Sequence, residues 1–205
     1  MKKILISPKI IKDKYGQFGQ FLDLSWLNFF HNKVNLFTWI PQNKNSINSL
    51  NFDGVILTGG NDLYSIKKKK ENLIRDKFEL KLLKFAIKKS IPILAVCRGF
   101  QFVNNFFGGS LKKIENHVKK NHEIIFKKKL IFFKKKNLLN TNSYHNYKIK
   151  NLANNFENIA ETNDNSIEIA YAKKEKILGL MFHPERKNFS QIPINKLVFN
   201  YFKIR

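Results

Sequence analysis

The stretch Ile91-Pro-Ile-Leu-Ala-Val-Cys97-Arg98-Gly99-Phe100-Gln101 predicts a buried strand that ends at the only cysteine of the chain. A helix follows it, because apolar residues recur at roughly helical spacing through Phe107. A cysteine at such a turn lies above the backbone N–H groups of the helix N-terminus, which favour the thiolate. The segment therefore predicts a nucleophilic cysteine. The alternative is a buried cysteine that only packs in the core.

The rest of the first half alternates strands and helices. The pattern predicts strands over Lys3–Ser7, Val34–Trp39 and Asp53–Thr58, and helices over Phe18–His31 and Leu73–Lys89. Such repeats are typical of an α/β fold with a mostly parallel sheet covered by helices on both faces, whose sites lie at the carboxyl ends of the strands.

The second half predicts shorter elements. We expect two short strands on either side of Lys127–Lys129, a polar loop over Thr141–Tyr147, further strands up to Phe182 and a closing helix over Ile192–Phe202. Gln42–Leu50 reads as a loop with a short helix. The 205 residues show no repeat or linker, so residues 1–205 are predicted to form a single domain.

Composition excludes several classes of protein. One cysteine rules out a disulfide framework and a cysteine-built zinc site. No stretch is long enough for a membrane span, and the apolar run after Met1 is too short for a signal peptide. We therefore expect a cytoplasmic protein with no cofactor, no bound metal and no membrane partner.

The net charge of +23 has two interpretations. It fits a polyanionic partner, and the hairpin region 119–136 interleaves phenylalanines with lysines as single-stranded nucleic acid requires. However, lysines are spread along the chain together with abundant Asn, Ile and Phe, which is typical of an AT-rich genome. Half-buried strands also alternate apolar and charged residues, so nucleic acid is the less favoured partner.

A base for the cysteine is available after the last predicted strand. His183 and Glu185 lie two residues apart, so in extended geometry both side chains project to the same side. His183 can then face the thiol while Glu185 fixes its tautomer. His117 and His122 have no acid at suitable spacing in the sequence, and His145 has no carboxylate near it in the chain.

Together these motifs resemble the class I glutamine amidotransferase domain, and more closely its γ-glutamyl hydrolase branch, the C26 peptidase-like group. The resemblance rests on Gly59-Gly60, Cys97-Arg98-Gly99-Phe100-Gln101, Phe107-Gly108-Gly109 and Phe182-His183-Pro184-Glu185. It covers nearly the whole chain. It implies a flavodoxin-like sheet, a Cys97–His183–Glu185 triad, and an oxyanion hole made by the backbone N–H groups of Gly60 and Arg98.

The same resemblance implies the substrate side of the site. Gln101 and the Ser143-Tyr144-His145 loop would hold the γ-glutamyl group, with Gly59 and Asn61 lining the site. The implied reaction is hydrolysis of a small-molecule γ-glutamyl amide through a γ-glutamyl thioester, releasing glutamate. Gly59–Asp62 and Asn142–His145 further resemble the branch that acts on a CDP-linked γ-glutamyl amide in capsule polysaccharide biosynthesis.

Other functions stay open at this point. The chain could hydrolyse γ-glutamyl-γ-aminobutyrate, or it could be the glutaminase subunit that supplies ammonia to a partner synthase. It could also be a basic binding module that keeps the fold without the chemistry.

Overall fold

A computed structural model of the protein describes residues 1–38, 51–115, 117–133 and 138–205. The strands in these ranges are β1 Lys2–Ser7, β2 Lys9–Lys12, β3 Phe18–Phe21, β4 Val34–Phe37, β5 Gly54–Leu57, β6 Ile93–Val96, β7 Ser110–Lys113, β8 Val118–Phe126, β9 Leu138–Tyr144, β10 Tyr147–Asn151, β11 Glu157–Glu161, β12 Ile167–Ala172 and β13 Ile177–Leu180. The helices are α1 Ser25–Phe29, α2 Lys70–Lys88, α3 Arg98–Phe106 and α4 Gln191–Phe202.

Within the described residues the main sheet has nine strands in the order β4-β1-β5-β6-β13-β12-β11-β8-β9. Neighbouring strands from β4 to β13 pair in parallel, and we call these five strands the parallel half. Strands β12, β11, β8 and β9 are joined by antiparallel pairings, and we call them the antiparallel half. The antiparallel pairs β2–β3 and β7–β10 form two small sheets of their own.

Helices cover both faces of the sheet, which confirms the predicted α/β fold. Trp26 of α1 and Leu197 of α4 pack in the core on one face, and Leu82 of α2 and Phe100 of α3 pack in the core on the other. Strands β5, β6 and β13 are buried along their whole length, because a parallel strand between two helical layers meets no water. Among the described residues, no helix is long and apolar enough to cross a membrane.

Two sequence predictions need separate comment. The prediction of one helix over Phe18–His31 was wrong, since Phe18–Phe21 pairs with β2 and only Ser25–Phe29 is helical. The phenylalanines there follow a helical period, but Phe21 is largely exposed and does not contribute to a helical core stripe. The prediction for Gln42–Leu50 lies outside the described residues.

Of the two strands predicted on either side of Lys127–Lys129, the first is part of β8, but the prediction of the second was wrong. Leu130–Phe133 forms only a bridged turn. The strand that pairs with β8 is instead β9, Leu138–Tyr144, and the sequence analysis had predicted a loop from Thr141 onward. Its Thr, Asn and Ser side chains are polar yet buried, so the usual hydrophobic signal is missing.

Candidate active site

Cys97 lies on a strained turn between β6 and α3. Its φ of 51° and ψ of −107° are unusual for a residue other than glycine, and such strain is found mostly at functional sites. The N–H of Cys97 donates to the carbonyl of Leu180 on β13 at 2.6 Å, and its own carbonyl accepts from Gln101 N–H in the first turn of α3. A Cβ at position 99 would lie 2.2 Å from the carbonyl oxygen of Leu57, so only glycine fits beside the cysteine. The thiol is thereby fixed at the carboxyl end of β6.

His183 follows β13, the strand next to β6. Its Nδ1 lies 2.7 Å from Glu185 Oε1, and both side chains are almost fully buried. Burial opposes a charge on the imidazole, but the Glu185 carboxylate and the Cys97 sulfur outweigh it and raise the pKa of His183 to about 9. The Cys97 side chain thus lies close enough to the imidazole to raise its pKa, while Nδ1 contacts Glu185.

Two asparagines hold the backbone of His183. Asn142 of β9 accepts from His183 N–H at 2.9 Å and donates to its carbonyl at 2.8 Å, and Asn188 donates to the same carbonyl at 3.0 Å. Gly59 packs against the ring, since a Cβ there would lie 2.4 Å from His183 Cε1. The imidazole is thus positioned from both halves of the sheet.

Arg75 supports the Gly59–Gly60 turn, a role that the sequence analysis missed. This fully buried side chain of α2 donates to the carbonyls of Thr58, Gly59 and Gly60 at 2.6–3.0 Å and pairs with Glu79 at 2.9 Å. Burial lowers its pKa to about 9, although Asp76 opposes this. The signal in the sequence that could have identified Arg75 is Glu79, four residues later on the same predicted helix.

The Arg98 side chain is held by α2. Its guanidinium pairs with Glu79 and Asp76 of α2 and is almost fully buried. The oxyanion role of the Arg98 backbone N–H stays a prediction.

Two of the predicted catalytic residues and both predicted oxyanion residues share one open cavity of about 350 Å³, whereas Glu185 lies outside its lining. Its lining includes Cys97, His183, Gly60 and Arg98, and also the predicted binding residues Asn61, Gln101, Tyr144 and His145. Gly60 has a φ of +78° at the turn that brings its backbone to this wall. The structure therefore brings together residues that lie up to 123 positions apart in the chain, from Gly60 to His183.

The predicted binding residues are held in different ways. Gln101 donates to the carbonyl of Tyr147 at 2.9 Å, and Asn61 exchanges hydrogen bonds with the backbone of Ile10. Ser143 is fully buried and donates to the carbonyl of His117 at 2.6 Å, so its hydroxyl supports the loop from below the cavity.

Tyr144 and Arg186 form one side of the cavity entrance. The Tyr144 ring meets the His183 ring edge-on with centroids 5.8 Å apart, and the Arg186 guanidinium lies 4.5 Å above the Tyr144 ring. The sequence analysis did not select Arg186, although it directly follows the His-Pro-Glu motif. Its guanidinium lies 4.0 Å from carboxylate oxygens of both Asp23 and Glu185.

A second cavity of about 330 Å³ shares the wall formed by Tyr144. Lys119, Lys120, Lys187 and the largely exposed Phe189 also line it. Two lysines of the hairpin region therefore lie beside the candidate active site.

His145 lies close to a carboxylate that is distant from it in the sequence. Its Nε2 lies 3.3 Å from Oε1 of the fully buried Glu168, and His122 Nε2 lies 3.5 Å from the same oxygen. His117 Nε2 lies 3.2 Å from Asp164. The prediction that no carboxylate lies near His145 was wrong, and His117 and His122 also gain acidic neighbours in space, because the carboxylates come from β12 and the turn that precedes it.

The fold and the site define a class of protein. Residues 32–185 match the Peptidase C26 family, and the chain belongs to that family.

Two sequence relatives and one solved structure are similar to the chain. It is 31% identical over 199 residues to the gamma-glutamyl-CDP-amidate hydrolase of Campylobacter jejuni, covering 95% of each chain. It is 33% identical over 142 residues to the GMP synthase [glutamine-hydrolyzing] of Borrelia garinii, covering 68% of this chain and 25% of that one. The crystal structure of a glutamine amidotransferase from Thermotoga maritima has the same fold, with a TM-score of 0.68 and 19% identity over 90% of this chain and 76% of the other.

Proposed function

We propose that the protein is a cysteine-dependent hydrolase of γ-glutamyl amides. The observation that carries the proposal is that His183, whose Nδ1 lies 2.7 Å from Glu185, lines the same open cavity as Cys97. Membership of the Peptidase C26 family and the similarity to a γ-glutamyl amide hydrolase support it.

In the first half of the reaction, the Cys97 thiolate attacks the γ-carbonyl carbon of the substrate. The backbone N–H groups of Gly60 and Arg98 donate to the resulting oxyanion, and each such donor typically contributes about 3 kcal/mol to lowering the barrier. As the C–N bond breaks, His183 gives its proton to the departing nitrogen. The products are a γ-glutamyl thioester on Cys97 and a free amine.

In the second half, water replaces the amine. His183 now accepts a proton from the water that attacks the thioester, and Glu185 stabilises the imidazolium that forms. Cleavage of the C–S bond releases glutamate and restores the thiolate. Water is the only further reactant that the balance requires.

For the departing amine we propose a nucleotide diphosphate amide, as in CDP-glutamine. The second cavity supports this, because Lys119, Lys120 and Lys187 can neutralise phosphates while Phe189 offers a ring for the base to stack on. The similarity over 95% of both chains to a gamma-glutamyl-CDP-amidate hydrolase points to the same substrate class. On this proposal the enzyme supplies cytidine diphosphoramidate for decorating a capsule polysaccharide in the cytoplasm.

An ammonia-supplying role is the second candidate. GMP synthase relatives that use glutamine support it, since such a chain works with a synthase partner. The two roles differ in what must be present for glutamate to be released.

The test is a glutamate-release assay over CDP-glutamine, γ-glutamyl-γ-aminobutyrate and free glutamine. We expect release from CDP-glutamine by the protein alone, and none from Cys97→Ala. Preference for γ-glutamyl-γ-aminobutyrate would overturn the nucleotide assignment, and glutaminase activity that requires an added synthase would favour the ammonia-supplying role. Release by folded Cys97→Ala at the rate of the unchanged protein would overturn the hydrolase mechanism.

A further inference from the structure

Three histidines and a glutamate converge in the antiparallel half, beside the cavity. His122 projects from β8, Glu168 from β12 and His145 from the turn after β9, and His117 directly precedes β8. Glu168 is fully buried, and His145 and His117 are more than nine-tenths buried. The hydrolase mechanism uses none of these side chains as an acid, base or nucleophile.

The polar atoms of this cluster are buried without hydrogen-bond partners among the described residues. They are His117 Nδ1, His122 Nε2, both ring nitrogens of His145, and both carboxylate oxygens of Glu168. A buried polar group left without a hydrogen bond destabilises the fold. His122 Nε2 and His145 Nε2 lie close to Glu168 Oε1 but without hydrogen-bond geometry, so a ligand held among these atoms would satisfy them.

The spacing of these atoms fits a metal ion. His122 Nε2 and His145 Nε2 lie 3.5 and 3.3 Å from Glu168 Oε1, and one ring nitrogen of His117 lies within 4.8 Å of its partners on His122 and Glu168. Ligand atoms about 2.0–2.1 Å from a tetrahedral Zn²⁺ are about 3.3–3.4 Å apart. The three rings also converge, with centroids 5.0, 5.2 and 6.4 Å apart.

His117 carries the outer contact that metal-binding histidines usually have. Its Nε2 lies 3.2 Å from Asp164, so a proton held there leaves Nδ1 as the free lone pair. Asp164 itself accepts a hydrogen bond from Ser166 Oγ at 3.0 Å. A carboxylate thus orients the ring for coordination through Nδ1.

The donor set selects the ion by chemistry. Imidazole nitrogens with one carboxylate suit Zn²⁺, whereas Mg²⁺ and Ca²⁺ prefer oxygen ligands.

We propose that His117, His122 and Glu168 bind one Zn²⁺ ion and leave its fourth position open to a further ligand. His145 lies beside this set, with its Nε2 3.3 Å from Glu168 Oε1. The ion would tie β8 and the residue before it to β12. This proposal departs from the sequence-based expectation of no metal, and it does not depend on the hydrolase assignment.

The test measures metal binding by the untagged full-length protein. After chelator treatment, we expect uptake of about one equivalent of Zn²⁺, a rise in Tm, and the intense visible absorption of tetrahedral Co²⁺ when Co²⁺ is used. The measurement is made in a Cys97→Ala background, so that the thiol and His183 cannot supply the site.

Single substitutions test which residues bind the ion. His122→Gln, at the least buried ligand, should weaken Zn²⁺ binding more than about 100-fold, and Asp164→Asn, at the carboxylate that contacts His117 Nε2, by about 10- to 100-fold. Glu168→Gln preserves shape and should abolish binding. His31→Gln, at an exposed histidine after α1, is the matched control and should bind as the parent does.

Either of two results would overturn the proposal. One is a folded parent protein, judged by circular dichroism, that binds neither Zn²⁺ nor Co²⁺. The cluster would then be a metal-free network of histidines around Glu168. The other is full binding retained in both His122→Gln and Glu168→Gln, which would place the ion elsewhere.

Discussion

The two halves of the sheet bury different kinds of side chain. Strands β5, β6 and β13 of the parallel half are apolar and buried throughout. In the antiparallel half, β9 buries Thr141, Asn142 and Ser143, and β12 buries Glu168. The parallel half therefore provides a rigid support for the proposed nucleophile Cys97 and for His183, while the antiparallel half buries polar groups, of which Asn142 holds the backbone of His183.

The largest expected effect comes from the acid that faces His183. Glu185→Gln keeps the shape but removes the charge that stabilises the imidazolium. We expect kcat to fall on the order of 10²-fold or more with little change in KM. Steady-state glutamate release measures kcat and KM. An unchanged kcat in the variant would contradict the role proposed for Glu185.

The pH dependence of stability tests the ion pair between His183 and Glu185. The pKa of His183 rises from 6.5 to about 9 on folding, so the protonated ring stabilises the fold fully below about pH 6.5. That contribution, on the order of 3 kcal/mol at about 1.4 kcal/mol per pKa unit, is lost as the pH rises through about 9.

Urea unfolding at several pH values from 6 to 10 measures this loss. Glu185→Gln provides the comparison, because it removes the largest of the groups that raise the pKa. The free energy of unfolding should fall less steeply with pH in the variant. Equal slopes in the two proteins would contradict the ion-pair description.

A smaller effect tests the tight packing of the parallel half. Gly99→Ala would put a Cβ 2.2 Å from the Leu57 carbonyl oxygen, and such overpacking typically costs about 1–3 kcal/mol. Gly19→Ala in β3 is the control, since its nearest neighbour, a side-chain atom of Ile11, lies at 4.0 Å. Equal free energies of unfolding for both variants would mean that the turn after β6 adapts more easily than the contact implies.

The smallest effect concerns the lysines of the second cavity. Lys120→Ser should raise KM for CDP-glutamine about three- to tenfold, because one phosphate contact is lost, and leave KM for a γ-glutamyl amide without phosphate unchanged. Lys81→Ser, at an exposed position of α2, should change neither. If both substrates respond equally, the cavity does not bind the nucleotide.

The sequence predicts the parallel half better because its signals are local. Apolar strands end at Cys97 and before His183, and both motifs can be read within a few residues. The antiparallel half depends on distant partners: Asn142 reads as part of a loop until its contacts with His183 are known, and His145 gains a carboxylate only when β12 brings Glu168 beside it. Arg75 was missed for the same reason, since its acceptors lie in another turn.

The measurement that tests the central claim most directly is mass spectrometry of the protein after rapid acid quenching with a γ-glutamyl amide. We predict a γ-glutamyl adduct on the peptide that contains Cys97, absent from Cys97→Ala. It should accumulate in a variant with slowed thioester hydrolysis, such as Glu185→Gln. Turnover of substrate by folded Cys97→Ala, or an adduct on another residue, would contradict the account.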